Sequence, residues 1–212
     1  MKYEWLDIAV LQKAAEEGDA SAQFYFGSHC ELGRCVKRSY EEAVKWYFKS
    51  AEQGNAAAQC ALGSCYADGK GVEQSDELAF EWYRKAAEQG YAHGQYKLGL
   101  CYFWGNGVET SYEKAANYYY LAAKQGHAGA QCGLGVCFAS GVGVKQSSIM
   151  AVEYYRRAAK QGYPQAQCFL GWCYHFGEGV EKSDQQAIEW FQKAAKRGYA
   201  YAKDALKRLG AL

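Results

Sequence analysis

The chain has 212 residues, 24 of them Lys or Arg and 23 Asp or Glu, for a formal charge of +1. Basic and acidic residues are well mixed, which excludes the electrostatic footprint of a nucleic-acid binder or of a protein drawn to anionic membrane surfaces. No apolar run is long enough to span a bilayer, and residues 1–8 (MKYEWLDI) carry acids where a secretion signal needs an apolar core.

In chain order, residues 4–18 read as a helix that ends in Lys13-Ala-Ala-Glu-Glu-Gly18 and is more polar than the segments after it. Thereafter Gly54, Gly90, Gly126, Gly162 and Gly198 follow at fixed intervals of 36 residues, each preceded by good helix formers with Lys or Arg in the last turns. Gly just past such a run is a helix stop, because it enters the left-handed conformation at little steric cost. A second helix opens with Ala22-Gln23, Ala58-Gln59, Gly94-Gln95, Ala130-Gln131 and Ala166-Gln167, and carries a glycine at 27, 63, 99, 135 and 171. It closes in Gly-x-Gly-Val at 69–72, 105–108, 141–144 and 177–180, and the next helix carries a fixed Ala at 43, 79, 115, 151 and 187. Ala79, Trp82, Tyr83, Ala86 and Ala87 fall on one helical stripe, and no stretch alternates as a strand would.

Self-similarity at this period predicts an all-α solenoid of helix–loop–helix repeats, a class built for binding rather than catalysis. The expected layout is a capping helix over 1–18, five repeats (19–54, 55–90, 91–126, 127–162, 163–198), and a capping helix over 199–212, where Lys203 and Lys207 replace the recurrent Gln and Gly. The mid-helix glycines are expected to permit close helix approach to Ala79 and Ala86, with residues 82 and 83 filling the space between repeats. Cys35 stands where the second loop glycine belongs in the first repeat, a place for backbone strain. Tyr118-Tyr119 and Tyr154-Tyr155 replace Trp-Tyr, which reads as a core swap.

The consensus of residues 58–72 and 79–90 resembles the Sel-1-like repeat family, relatives of the tetratricopeptide repeats, and the resemblance covers essentially the whole chain. It implies a right-handed α/α superhelix whose first helices line the concave side, and a role as an adaptor or scaffold.

The nine cysteines include two repeat series, Cys65, Cys101, Cys137, Cys173 and Cys60, Cys132, Cys168. Equivalent positions in stacked helices lie about 10 Å apart, beyond the roughly 7 Å reach of a disulfide, and residues five apart on a helix diverge by about 140°. With an odd total and no Cys-x-x-Cys, this predicts buried free thiols in a reducing cytoplasm; His29, His93, His127 and His175 do not pair as metal ligands. No cofactor is expected. Secreted cysteine-rich relatives, as the resemblance implies, pair cysteines where this chain has Ala87 and Gln95, and such relatives are linked with β-lactam hydrolysis or binding. Ser111-Tyr-Glu-Lys114 matches Ser-x-x-Lys, but without companion motifs it reads as a helix-start Ser with a surface Lys. No catalytic residue is assigned.

Within the first helices, positions equivalent to 57, 61, 64 and 68 vary freely, and their spacing makes one stripe. From it we take as candidate partner-binding residues Tyr25, His93, Lys97, Leu100, Trp104, Gly129, Gly133, Phe169, Trp172 and Phe176. The third and fifth repeats carry large rings, while Gly129 and Gly133 leave an expected small-residue floor for an apolar anchor of a protein or peptide partner. Two readings stand open for the rings, partner capture and packing between adjacent first helices. A monomeric, non-enzymatic adaptor is the expectation; a β-lactam or cell-wall-fragment hydrolase and a structural homo-oligomer are the alternatives.

Overall fold

The structure, a computed structural model, describes residues 7–211; residues 1–6 of the expected N-terminal cap and residue 212 of the expected C-terminal cap lie outside them. Twelve α-helices and no strand are found among the described residues. The chain forms two compact halves, Met1–Thr110 and Ser111–Leu212. The first holds α1 (Ile8–Glu16), α2 (Ala20–Leu32), α3 (Tyr40–Glu52), α4 (Ala56–Asp68), α5 (Asp76–Glu88) and α6 (Ala92–Trp104). The second holds α7 (Tyr112–Lys124), α8 (Ala128–Ser140), α9 (Ser148–Lys160), α10 (Pro164–Phe176), α11 (Asp184–Lys196) and α12 (Ala200–Arg208). Even-numbered helices are the first of each repeat and odd-numbered ones the second.

Each helix boundary is fixed locally. Ser39, Ser75, Ser111, Ser147 and Ser183 cap the second helices, each hydroxyl accepting from a backbone N–H three residues on. Such a cap contributes about 1 kcal/mol against Ala. The first helices end on Gly33, Gly69, Gly105, Gly141 and Gly177, all left-handed. The second loop glycine is required for a further reason. At Gly143 (φ 70°) a Cβ would run into the backbone carbonyl of Tyr112, one repeat back, so the loop lies directly on the start of the preceding second helix. Cys35, with φ 61°, is the one non-glycine at positive φ among the described residues, as the missing glycine suggested.

The mid-helix glycine serves close approach. A Cβ on Gly63 would stand 2.8 Å from the Tyr83 ring and 3.2 Å from the Ala79 carbonyl. Its partner is thus Ala79 but not Ala86, which packs instead at Gly94 of the next repeat. The paired aromatics also divide their work. Tyr83 lies over the first helix of its own repeat, where its hydroxyl donates to Ser64 Oγ (3.1 Å), whereas Trp82 reaches back to Phe48 of the preceding repeat (6.1 Å between centroids). Adjacent residues on a helix point about 100° apart, so only one of the pair faces the joint between repeats.

A buried amide pair completes the joint. Gln59 Nε2 donates to the carbonyl of Ala51 in the preceding repeat (3.2 Å), and Gln59 Oε1 accepts from Gln89 Nε2 (2.8 Å). Gln23 with Gln53 and Gln131 with Gln161 repeat the arrangement. In the fifth repeat Arg197 stands at the second position, and Gln167 Oε1 is buried with no hydrogen-bond partner.

Candidate functional site

The repeat-constant residues of the first helices face inward: Ala58, Gln59, Leu62, Gly63 and Cys65 are all buried. Every stripe residue that carries a side chain is half-buried or exposed. Freedom to vary and access to solvent therefore coincide on one face of each of these helices, α2, α4 and α6 in the first half and α8 and α10 in the second.

In the first half, Tyr25 is half-buried with its ring edge-on to Phe24 (5.3 Å). His93 is exposed beside Tyr91 and Tyr96. Lys97 Nζ lies 5.9 Å from the centroid of Tyr83, and Lys97, Leu100, Tyr83 and Asp76 line a small hollow of about 120 Å³. Trp104 is 68% exposed, resting edge-on against Phe103 (5.0 Å).

In the second half, the rings of α10 combine both open readings. Phe169 and Trp172 are half-buried and anchored, Phe169 on Tyr155 (5.2 Å) and Trp172 on Phe191 (4.9 Å). Phe176 is 61% exposed and stacks on Trp172 at 5.6 Å and 15°. The anchoring contacts run to second helices, α9 and α11, rather than to an adjacent first helix. The expected open floor on α8 is corrected: the Tyr119 ring lies where a side chain at 133 would begin, 3.1 Å from a Cβ built on Gly133, and Gly129 is itself buried. Glycine at 133 accommodates Tyr119; the smooth surface there is a filled one.

One contact of this region was not foreseen. His175 Nδ1 lies 2.6 Å from Asp184 Oδ1 and its ring packs on both Trp172 and Phe176, so the aromatic ledge is tied to the start of α11. Its signal in the sequence was weak: Asp76 stands at the position of Asp184 in the second repeat, but no other repeat has a histidine at the position of His175.

Other candidate chemistry resolves into structure. Ser111 Oγ accepts from the Lys114 backbone N–H (3.4 Å) as the cap of α7, the helix-start role read from the sequence. All nine cysteines are free, and all but Cys35 are buried. Burial pushes the thiols of Cys60, Cys65 and Cys132 up to about 12, and those of Cys101, Cys137, Cys168 and Cys173 up to about 11. They are protonated at neutral pH and lack the thiolate that nucleophilic attack needs. His29 Nδ1 contacts the Arg34 carbonyl (2.9 Å), and His127 Nδ1 accepts the Ala130 N–H as the cap of α8 (3.1 Å). Among the described residues no group of three or more His, Cys, Asp or Glu is gathered, and no helix is long and apolar enough to cross a membrane.

Comparison with known proteins agrees with this geometry. The profile of the Sel1 repeat matches residues 20–55, 56–91, 92–127, 128–163 and 164–199. A Sel1 repeat protein from Oxalobacter formigenes is 36% identical with a TM-score of 0.84, over 89% of this chain and 75% of that one. The antigen c5321, a protective antigen present in uropathogenic Escherichia coli strains and displaying an SLR fold, is 34% identical with a TM-score of 0.82; the match covers 92% of this chain but 43% of that one. Helicobacter pylori cysteine rich protein B is 25% identical with a TM-score of 0.50, over 62% of this chain and 94% of that one. No curated protein matches the sequence.

Proposed function

The chain belongs to the Sel1 repeat family, and from that premise we propose that it is a non-enzymatic adaptor that holds a peptide or helix of another protein against its first-helix stripe. Sel1 repeat proteins are in general protein-interaction scaffolds. The observation that carries the reading is the exposure of two large stripe rings, Trp104 (68%) in the first half and Phe176 (61%) in the second. Large rings left in water cost hydrophobic free energy that a partner recovers by covering them, and buried aromatics dominate interface energies. Tyr25, His93, Lys97 and Leu100 extend the stripe in the first half, and Phe169 and Trp172 anchor it in the second. Gly129 and Gly133 keep α8 flat, which lets an extended or helical partner lie close. The eight buried free thiols suit a reducing cytoplasm, and the exposed Lys203, Lys207 and Arg208 on the last helix suit a monomer.

The test separates the exposed rings from the anchored ones. Trp104→Ala with Phe176→Ala removes rings that support no core, so stability stays within about 0.5 kcal/mol by urea denaturation. The same double variant is expected to lose a protein captured from native lysate by the wild-type chain, with direct binding of the purified partner weakened by 2 kcal/mol or more, the order of a hot-spot loss. Equal binding by this folded variant would sink the proposal.

A further inference from the structure

The second helices hold a feature independent of that stripe. Between adjacent second helices of one half, the joint is packed from two positions: the residue equivalent to 80 on one helix and the residue equivalent to 82 on the next. Val44 and Trp82 fill it between α3 and α5, and Val152 and Trp190 between α9 and α11. Between α7 and α9 the same two positions hold Ala116 and Tyr154, smaller on both sides. The exchange read from sequence as a core swap therefore leaves volume behind. A cleft of about 400 Å³ opens there, with Ala116, Leu134, Phe138 and Tyr154 at its base and Tyr120 and Met150 on its sides. That is within the usual range of ligand clefts, about 300–1,000 Å³.

Tyr154 does not close the space, because its ring stacks flat on Phe138 (5.6 Å, 7°). Two of its apolar lining residues are exposed: Tyr120 is 44% and Met150 38% accessible. α9 is also the one second helix of the five repeats with no acidic residue in its first turn. The cleft runs into a wider hollow of about 620 Å³, with which it shares Glu113, Gly143 and Val144, and which adds Ser111 and Lys145. An apolar slot opening into a roomier polar vestibule fits a ring carried on a backbone, the ring in the slot and the peptide groups among Ser111, Glu113 and Lys145.

We propose that the α7/α9 cleft is a docking site for an indole-sized aromatic side chain of a partner protein, which completes from outside the packing that Trp82 and Trp190 complete from within. Asn117 and Glu113 at the mouth offer acceptors for an indole N–H. The site is separate from the first-helix stripe, so its failure and that of the stripe are distinguishable.

The experiment uses fluorine NMR on the full chain with two probes, 5-fluoroindole and N-acetyl-5-fluorotryptophan amide, the second carrying peptide groups. Saturable binding of the amide probe is expected. Tyr154→Trp, which restores the residue found in the first, second and fifth repeats, is expected to weaken it by about tenfold or more while raising the melting temperature, and Ala116→Val is expected to act in the same direction. Met150→Gln, at an exposed lining position, leaves the fold intact and weakens binding to a smaller degree. The proposal is overturned if neither probe binds saturably, or if Tyr154→Trp is folded and binds as wild type. Binding of free indole without the amide would also overturn it, by assigning the cleft to a small molecule rather than a side chain.

Discussion

At the scale of single residues, the fifth repeat shows what a framework substitution costs. Gln53, Gln89 and Gln161 each donate to a buried Gln Oε1 at 2.8 Å, while Arg197 leaves Gln167 Oε1 without a partner. An unsatisfied buried acceptor costs about 1–3 kcal/mol, of which a restored neutral hydrogen bond returns about 1 kcal/mol. Arg197→Gln is therefore expected to stabilise the protein by about 1 kcal/mol in urea denaturation, with an unchanged m-value. No change would mean that the amide is satisfied in another way. This defect was legible in the sequence only in part: the Gln columns were visible as constants, but that one member supplies the other's hydrogen bond depends on two helices meeting in space.

At the scale of elements, the loops and helix ends were the most legible features, because each boundary is written in a few adjacent residues that recur in every copy. The loop glycines separate two requirements that sequence alone merges. Gly126 (φ 87°) needs only its left-handed backbone, for a Cβ there meets nothing within 4 Å, whereas Gly143 also lies against the Tyr112 carbonyl. Gly126→Ala should cost about 1 kcal/mol, the penalty of the left-handed conformation, and Gly143→Ala about 3 kcal/mol or more, since backbone must move as well. Chemical denaturation of the two variants decides this, and equal losses would refute the close approach. The candidate site was less legible for the same physical reason. Gly133 looked like free space because a missing side chain cannot reveal that Tyr119 has taken its place. The α7/α9 cleft needed Ala116 and Tyr154 to be read as one joint, though each alone is an ordinary core residue. Trp82 and Tyr83 are neighbours in sequence and both apolar, and only the helix rotation between them assigns one to the joint.

At the scale of the molecule, the many buried thiols make stability sensitive to alkali. Seven have pKa values raised from the ordinary 9.0 to about 11 or 12 by burial. The unfolded chain ionises these groups at lower pH than the folded chain, so it binds fewer protons and gains population as pH rises. Their contribution is whole below pH 9 and is lost progressively through pH 11 to 12, with the buried tyrosines Tyr47, Tyr83 and Tyr155 shifted in the same direction by burial. Urea midpoints should therefore fall steeply above pH 9, and less so when Cys60 and Cys132 are replaced by Ala. At neutral pH a disulfide-exchange reagent should find one fast thiol, Cys35, the exposed one; several fast thiols in the folded protein would contradict this account.

The amide that joins one repeat to the next bonds a main-chain carbonyl: Gln59 to Ala51, Gln131 to Ala123, Gln167 to Ala159. The joint thus asks nothing of its neighbour's side-chain identity at that contact. A chain built on such seams can be lengthened by duplication or reordered by recombination, each new arrangement inheriting that main-chain contact while the residues of its variable stripe change.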